Sequence, residues 1–210
     1  MTENGSMDID ISIPPRLPAA ARFVERIREL YNNEPDLDQR WEAIRERMVE
    51  LLADPALREH SKDWPLTVAD AAGGVRNLLF YEDPDYGFVF NATVRKANSV
   101  TSVHDHGDVW TLYGLIDGNE TMHRYERTDG GDRNEGPATL RETGSTSIGP
   151  GDVDTVPPGG IHQEHGGPTD SMSFIVRAQR AGTFKQRNFN PETGEVRLND
   201  GPTLIPYRLD

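Results

Sequence analysis

Apolar residues recur every three to four positions in the first quarter of the chain and every second position through much of the rest. Ala20, Phe23, Ile27 and Leu30 share one helical stripe, and Trp41, Ile44, Met48, Leu51 and Leu52 form another. Two amphipathic helices are therefore expected within residues 18–53, parted by Pro35, with Asp38 as N-cap of the second. Pro55 follows, and a short helix is expected around Pro55–His60. From about Val75 the period changes to two. Phe88, Phe90, Ala92 and Val94 alternate with Val89, Asn91, Thr93 and Arg95. Trp110–Ile116 is a dense apolar run, and Thr121–Arg127 alternates again. Thr139–Thr143, Asp152–Val156, Met172–Ala178 and Thr183–Phe189 read as further short strands. Turn residues separate them, as at Asp117-Gly118-Asn119, Asp129-Gly130-Gly131 and Gly149-Pro150-Gly151. Many short strands at near-regular spacing predict a mainly β sandwich or barrel. The expected organisation is a loosely attached tail over 1–17, a helical extension packed on the barrel over 18–70, and the barrel with C-terminal strands over 71–210.

Composition narrows the function. The net charge of −13 argues against nucleic acid, whose phosphates favour a basic face, and against anionic membranes. No apolar run approaches the roughly 20 residues that span a bilayer. The chain has no cysteine, which removes disulfides and thiolate-based zinc sites and fits a reducing compartment. The acidic, polar start MTENGSMDIDISIPPR lacks the form of a secretory signal, so a cytoplasmic location is expected. The sequence leaves the oligomeric state open.

The chemistry concentrates at His104-Asp105-His106 and at His162, more than fifty residues later in a Gly-Pro-Gly frame. Alternate residues of a strand share a face, about 6.6 Å apart along the chain, so an HxH pair can reach one ion. A third ligand from a distant strand would close the site and leave positions open for substrate. Imidazole suits iron, nickel, copper and zinc alike, so the donors alone do not choose the metal.

These segments resemble the two motifs of the cupin superfamily. Gly151, Pro157, Gly159 and His162 match the second motif, with Gly166 where an Asn is usual. His104 and His106 match the first, as does Gly118, while Thr111 stands at the position of the usual Glu. A three-histidine site without a carboxylate is similar to that of the thiol dioxygenase group, the cysteine and 3-mercaptopropionate dioxygenases. The resemblance runs from about Val75 to Arg197 and includes Arg76-Asn77-Leu78-Leu79, SVHDHGD, GDVDTVPPGGIH and FNPETGEV. It implies a cupin double-stranded β-helix barrel, a jelly roll, holding one Fe(II) on His104, His106 and His162. It also implies that O2 is used to oxidise a small thiol carboxylate to its sulfinate. Alternatives are a cupin dioxygenase acting on a non-thiol small acid, and a non-catalytic metal- or acid-binding cupin.

The same resemblance implies that Arg76 holds the substrate carboxylate. The family's Ser-x-His-x-Tyr triad falls on Ser173, Ile175 and Arg177, so two of its three groups are replaced. Arg177 becomes a candidate second anion clamp. Trp110 and Tyr113 are expected to wall the barrel interior near Thr111, as substrate contacts. His165, three residues past His162, is a candidate proton donor. His123 is expected to be structural, Glu164 to be a solvated loop carboxylate, and His60 to be solvated.

Overall fold

The computed structural model describes residues 9–67, 76–131 and 137–210. The first eight residues of the expected tail, the expected boundary at 70/71 and the expected strand start at Val75 lie outside the described residues. Helix α1 spans Pro18–Asn33, α2 Leu37–Leu52 and α3 Pro55–Ser61. Proline opens α1 and α3, where its missing N–H costs no helical bond. The cap of α2 is Asp36 rather than Asp38; its side chain accepts from the Gln39 N–H at 2.9 Å. Asp54 caps α3 through the N–H groups of Ala56 and Leu57. Among the described residues no helix is long and apolar enough to cross a membrane.

Twelve strands follow: β1 (Arg76–Glu82), β2 (Val89–Arg95), β3 (Val103–His104), β4 (Thr111–Asp117), β5 (Glu120–Arg127), β6 (Leu140–Ile148), β7 (Val153–Val156), β8 (Ile161–Gly166), β9 (Ser171–Arg177), β10 (Gln186–Phe189), β11 (Val196–Asn199) and β12 (Thr203–Pro206). Among the described residues they form two six-stranded sheets. The first has the order β12-β1-β2-β9-β4-β7 and the second β11-β10-β3-β8-β5-β6. Neighbours are antiparallel except β1 and β12, which run parallel. The two sheets roll into the jelly-roll barrel that the sequence predicts.

The two faces of the first sheet have different partners. Leu112 and Ile116 of β4, Phe174 and Val176 of β9, and Phe90 and Ala92 of β2 join the helices in one apolar cluster. Phe23 of α1 stacks on Phe90 at 5.3 Å between ring centroids, and Trp41 of α2 stacks on Trp110 at 6.0 Å. Gly114 permits this contact, because a Cβ there would lie 2.6 Å from the Met48 terminal methyl. The opposite face of the same strands turns into the barrel. There Tyr113, Leu115 and Ile175 meet Met122 of β5, Ile148 of β6 and Val156 of β7. The inner strands of sheet one are thus buried on both sides, while β6 at the edge of sheet two is exposed along most of its length.

Residues 9–17 are not the loosely attached tail expected. Leu17 is buried and its N–H donates to the Leu209 carbonyl at 3.1 Å, while the Ile11 carbonyl accepts from the Glu82 N–H at 2.8 Å. His60 is also engaged rather than solvated, since its Nδ1 accepts from Trp64 Nε1 at 2.9 Å.

Candidate metal centre and its cavity

Strands β3 and β8 are neighbours in sheet two, and their register pairs His104 directly with His162. His106 lies two residues beyond His104. A turn carries it there, and Gly107 follows in the left-handed region (φ 58°), where a Cβ would lie 2.6 Å from the Lys185 carbonyl oxygen. Asp105, between the two histidines, is buried. Its carboxylate accepts from the N–H groups of Gly107 (2.9 Å) and Arg187 (3.0 Å) and from Arg187 Nε (2.5 Å). The ligand pair is thereby clasped to β10.

The three Nε2 atoms converge. His106 Nε2 lies 3.2 Å from that of His104 and 3.0 Å from that of His162, and a ligand atom from each ring lies within 4.8 Å of the others. Ions held about 2.0–2.1 Å from imidazole nitrogens at right angles space neighbouring donors about 3 Å apart, which fits these separations. Lone pairs this close repel one another unless a cation sits among them. The outer nitrogens support that assignment. His104 Nδ1 lies 2.9 Å from the Ser102 carbonyl, which can only accept, so Nδ1 carries the hydrogen and Nε2 keeps its lone pair. His106 Nδ1 meets Thr111 Oγ1 at 2.8 Å. Burial holds the pKa of His106 well below the ordinary value, aided by the charge of Arg177, and burial does the same for His162. Neutral imidazole is the form that binds metal.

The cavity beside this cluster has a volume of about 270 Å³, and His104, Tyr113, Glu164, Ile175 and Arg177 are among the residues lining it. Arg177 is 3% exposed. Its Nη2 donates to Tyr113 Oη at 3.2 Å, and Tyr113 Oη in turn lies 3.2 Å from His106 Nε2. Arg177 Nε and Nη1 are buried without a hydrogen-bond partner among the described residues. Arg95 also enters the cavity, but it is neutralised. Its guanidinium meets Glu164 at 2.9 Å and Glu120 at 3.5 Å. Burial alone would raise the Glu164 pKa. Arg95 beside it and the Thr101 hydroxyl hold it well below the usual range.

Several expectations change. Arg76 is exposed at the start of β1 and does not line the cavity; the next residue, Asn77, faces inward. Trp110 faces the helices against Trp41 instead of walling the interior. Thr111 faces inward but is absent from the cavity wall, and its hydroxyl is engaged by His106. Ser173 shares the inward face of β9 with Ile175 and Arg177, yet its hydroxyl turns to Glu120. His165 lies on β8, not in a loop, on the face opposite His162. Its ring sits 4.2 Å from that of His123, and its Nε2 lies 3.0 Å from Gln163 Oε1. Glu164 is buried instead of solvated. Sequence reasoning passed over Glu120 and Asp105 and gave Thr93 and Arg95 no role. Their signal was present in β2, where Asn91, Thr93 and Arg95 form a polar face opposite an apolar one.

No family model and no curated protein matches this sequence. Solved structures do match in part. A Bacillus halodurans protein is 6% identical over 59% of this chain and 78% of its own, at a TM-score of 0.44. The Schizosaccharomyces pombe Cnp3 cupin domain is 10% identical over 50% of this chain and 64% of its own, at 0.37. An oxalate oxidase in complex with the substrate analogue glycolate is 16% identical over 44% of this chain, at 0.35. The match spans only 42% of that oxidase. Likeness at this level says nothing of what this chain binds or turns over. Its own topology and histidine cluster define a jelly-roll barrel whose His104, His106 and His162 could hold a metal ion.

Proposed function

We propose that the protein is a metal-dependent oxygenase of a small carboxylic acid, with Fe(II) held by His104, His106 and His162. The observation that carries this reading is Arg177, a buried cation with two unpartnered donor atoms, in a cavity that His104 of the three converging imidazoles also lines, and joined to His106 through the Tyr113 hydroxyl. Three neutral ligands leave the ion's charge intact and its other positions open. Fe(II) would supply those positions and the electron transfer that lets O2 react.

The chain's own residues do the rest. Arg177 replaces Arg76 as the group for the substrate carboxylate, since it lines the cavity and no ion pair compensates its charge among the described residues. The Tyr113 oxygen takes one Arg177 N–H, which holds the hydroxyl beside His106 Nε2. Once that nitrogen is committed to an ion, the hydroxyl hydrogen is available to a ligand atom. Burial of Tyr113 raises its pKa, so it serves as donor and not as phenolate. With a thiol carboxylate the reaction is RS⁻ + O2 → RSO2⁻, both oxygen atoms ending on sulfur. A non-thiol acid is the second reading. It is favoured by Ile175 and Arg177, which occupy positions where the resemblance would place a proton-relaying His and Tyr.

Elemental analysis after purification without added metal, followed by an oxygen electrode with mercapto-acids and non-thiol acids, tests the proposal. The expected result is close to one iron per chain and acid-dependent O2 uptake, with sulfinate formed one-for-one if the thiol reading holds. His162→Ala should lose most of the iron while keeping its far-UV spectrum. Iron-loaded protein consuming no O2 with any acid would overturn the oxygenase reading.

A further inference from the structure

Opposite Arg177 the cavity has a wall of neutral amides. Gln186 of β10 and Asn199 of β11 are register partners and stand side by side. Asn188, two residues along β10 from Gln186, extends the wall, and Asn77 of β1 lines the cavity from Arg177's own sheet. The Gly201 N–H donates to Asn199 Oδ1 at 2.7 Å, which fixes that amide with its Nδ2 as the remaining donor. Asn199 Nδ2 and Gln186 Nε2 are both buried without a partner among the described residues. Thr93 Oγ1, from β2 of the other sheet, is in the same condition. Gln186 is 4% exposed and Thr93 3%. Buried donors left unmade are costly, so a group of them on residues that line one cavity points to an acceptor there. These donors carry no charge, whereas Arg177 does. A carboxylate belongs on Arg177, and the amides suit a neutral oxygen.

We propose that the substrate is a hydroxy- or oxo-acid. Its carboxylate meets Arg177, and its hydroxyl or carbonyl oxygen is taken by Gln186 and Asn199, with Thr93 available as a further partner. This inference rests on reading the cavity as the acid-binding site. The amides then determine specificity, and acids lacking the second oxygen leave them unmet.

Calorimetric titration of the full-length, metal-loaded protein under anaerobic conditions tests this with a matched set of propionate, lactate and pyruvate. Lactate, pyruvate or both should bind about tenfold or more tightly than propionate. Gln186→Leu and Asn199→Leu, made separately, should each weaken that preferred acid about tenfold and propionate far less. Equal affinities for all three acids in the unsubstituted protein would overturn the inference while leaving the acid site standing. That comparison needs no variant, so misfolding cannot obscure it. Binding of none of the three would remove the acid site and this inference together. Arg177→Met separates the two levels, since it should weaken all three acids alike.

Discussion

Asp105 is the residue on which the ligand pair depends. It touches neither ligand ring, yet it receives three donors from Gly107 and Arg187 and so fixes the turn that brings His106 back toward His104. Asp105→Asn keeps the shape but loses the charge and turns one oxygen into a donor facing Arg187. Metal affinity should fall about 10- to 100-fold, as for other residues that orient ligands from behind, and competition with a chelator measures it. Unchanged affinity would show that the turn holds itself. His104 and His106 were legible from their HxH spacing, although His106 stands beyond the end of β3, and His162 was legible from its Gly-Pro-Gly frame. The inward set Ser173, Ile175 and Arg177 was legible because alternation is a local property of a strand. Arg76 and Trp110 were misplaced by one residue each. Alternation gives two faces but does not say which is inside when both are buried, as they are in the inner strands of sheet one.

At the scale of elements, α1 is tied to the first sheet by charge as well as by packing. Arg28 Nε donates to the buried carboxylate of Asp83 at 2.8 Å, and Tyr81 Oη donates to it at 2.9 Å. Burial alone would raise the Asp83 pKa. Its hydrogen bonds, from Arg28 first and then from backbone and Tyr81, outweigh that and hold it below 3.8. A depressed carboxyl pKa stabilises the folded form above the unfolded value and loses that effect as pH falls through the folded one. Asp83→Asn should therefore cost about 1–3 kcal/mol at pH 7, and the difference from the parent should shrink as pH drops below about 4. Urea unfolding at pH 7 and again below about pH 4 tests this, and a difference that persisted in acid would assign the effect to shape instead of charge. The helices, with their long stripes and proline boundaries, were readable in the sequence. So were β2, β4, β5 and β9. The short β3 was not, nor was β8, where Gln163 and His165 face outward and leave little apolar alternation. Strands β11 and β12 are short, largely exposed edge strands whose pairing is set by distant partners, which no local pattern records.

At the scale of the whole molecule, the metal would bind a site assembled only on folding, since its ligands come from segments more than fifty residues apart. An ion that binds the folded state more tightly than the unfolded one raises its stability. Removing metal by dialysis against a chelator should lower the Tm, and restoring one equivalent should recover it. A Tm indifferent to metal would argue against a site among these histidines. The spacing of strands and turns foresaw a sandwich or barrel, and the motif resemblance implied the jelly roll, but neither foresaw the division of labour between its halves.

That division has a mechanical consequence. All three imidazoles stand on or beside strands of the outer, more solvent-washed leaf, whereas Arg177, Thr93 and Tyr113 stand on the leaf armoured by helices. A guest gripped at one end by the ion and at the other by the guanidinium acts as a rivet through both leaves. Its arrival should damp the breathing of one against the other, so that amide protons of β3 and β8 exchange more slowly when ion and acid are bound together than with either alone.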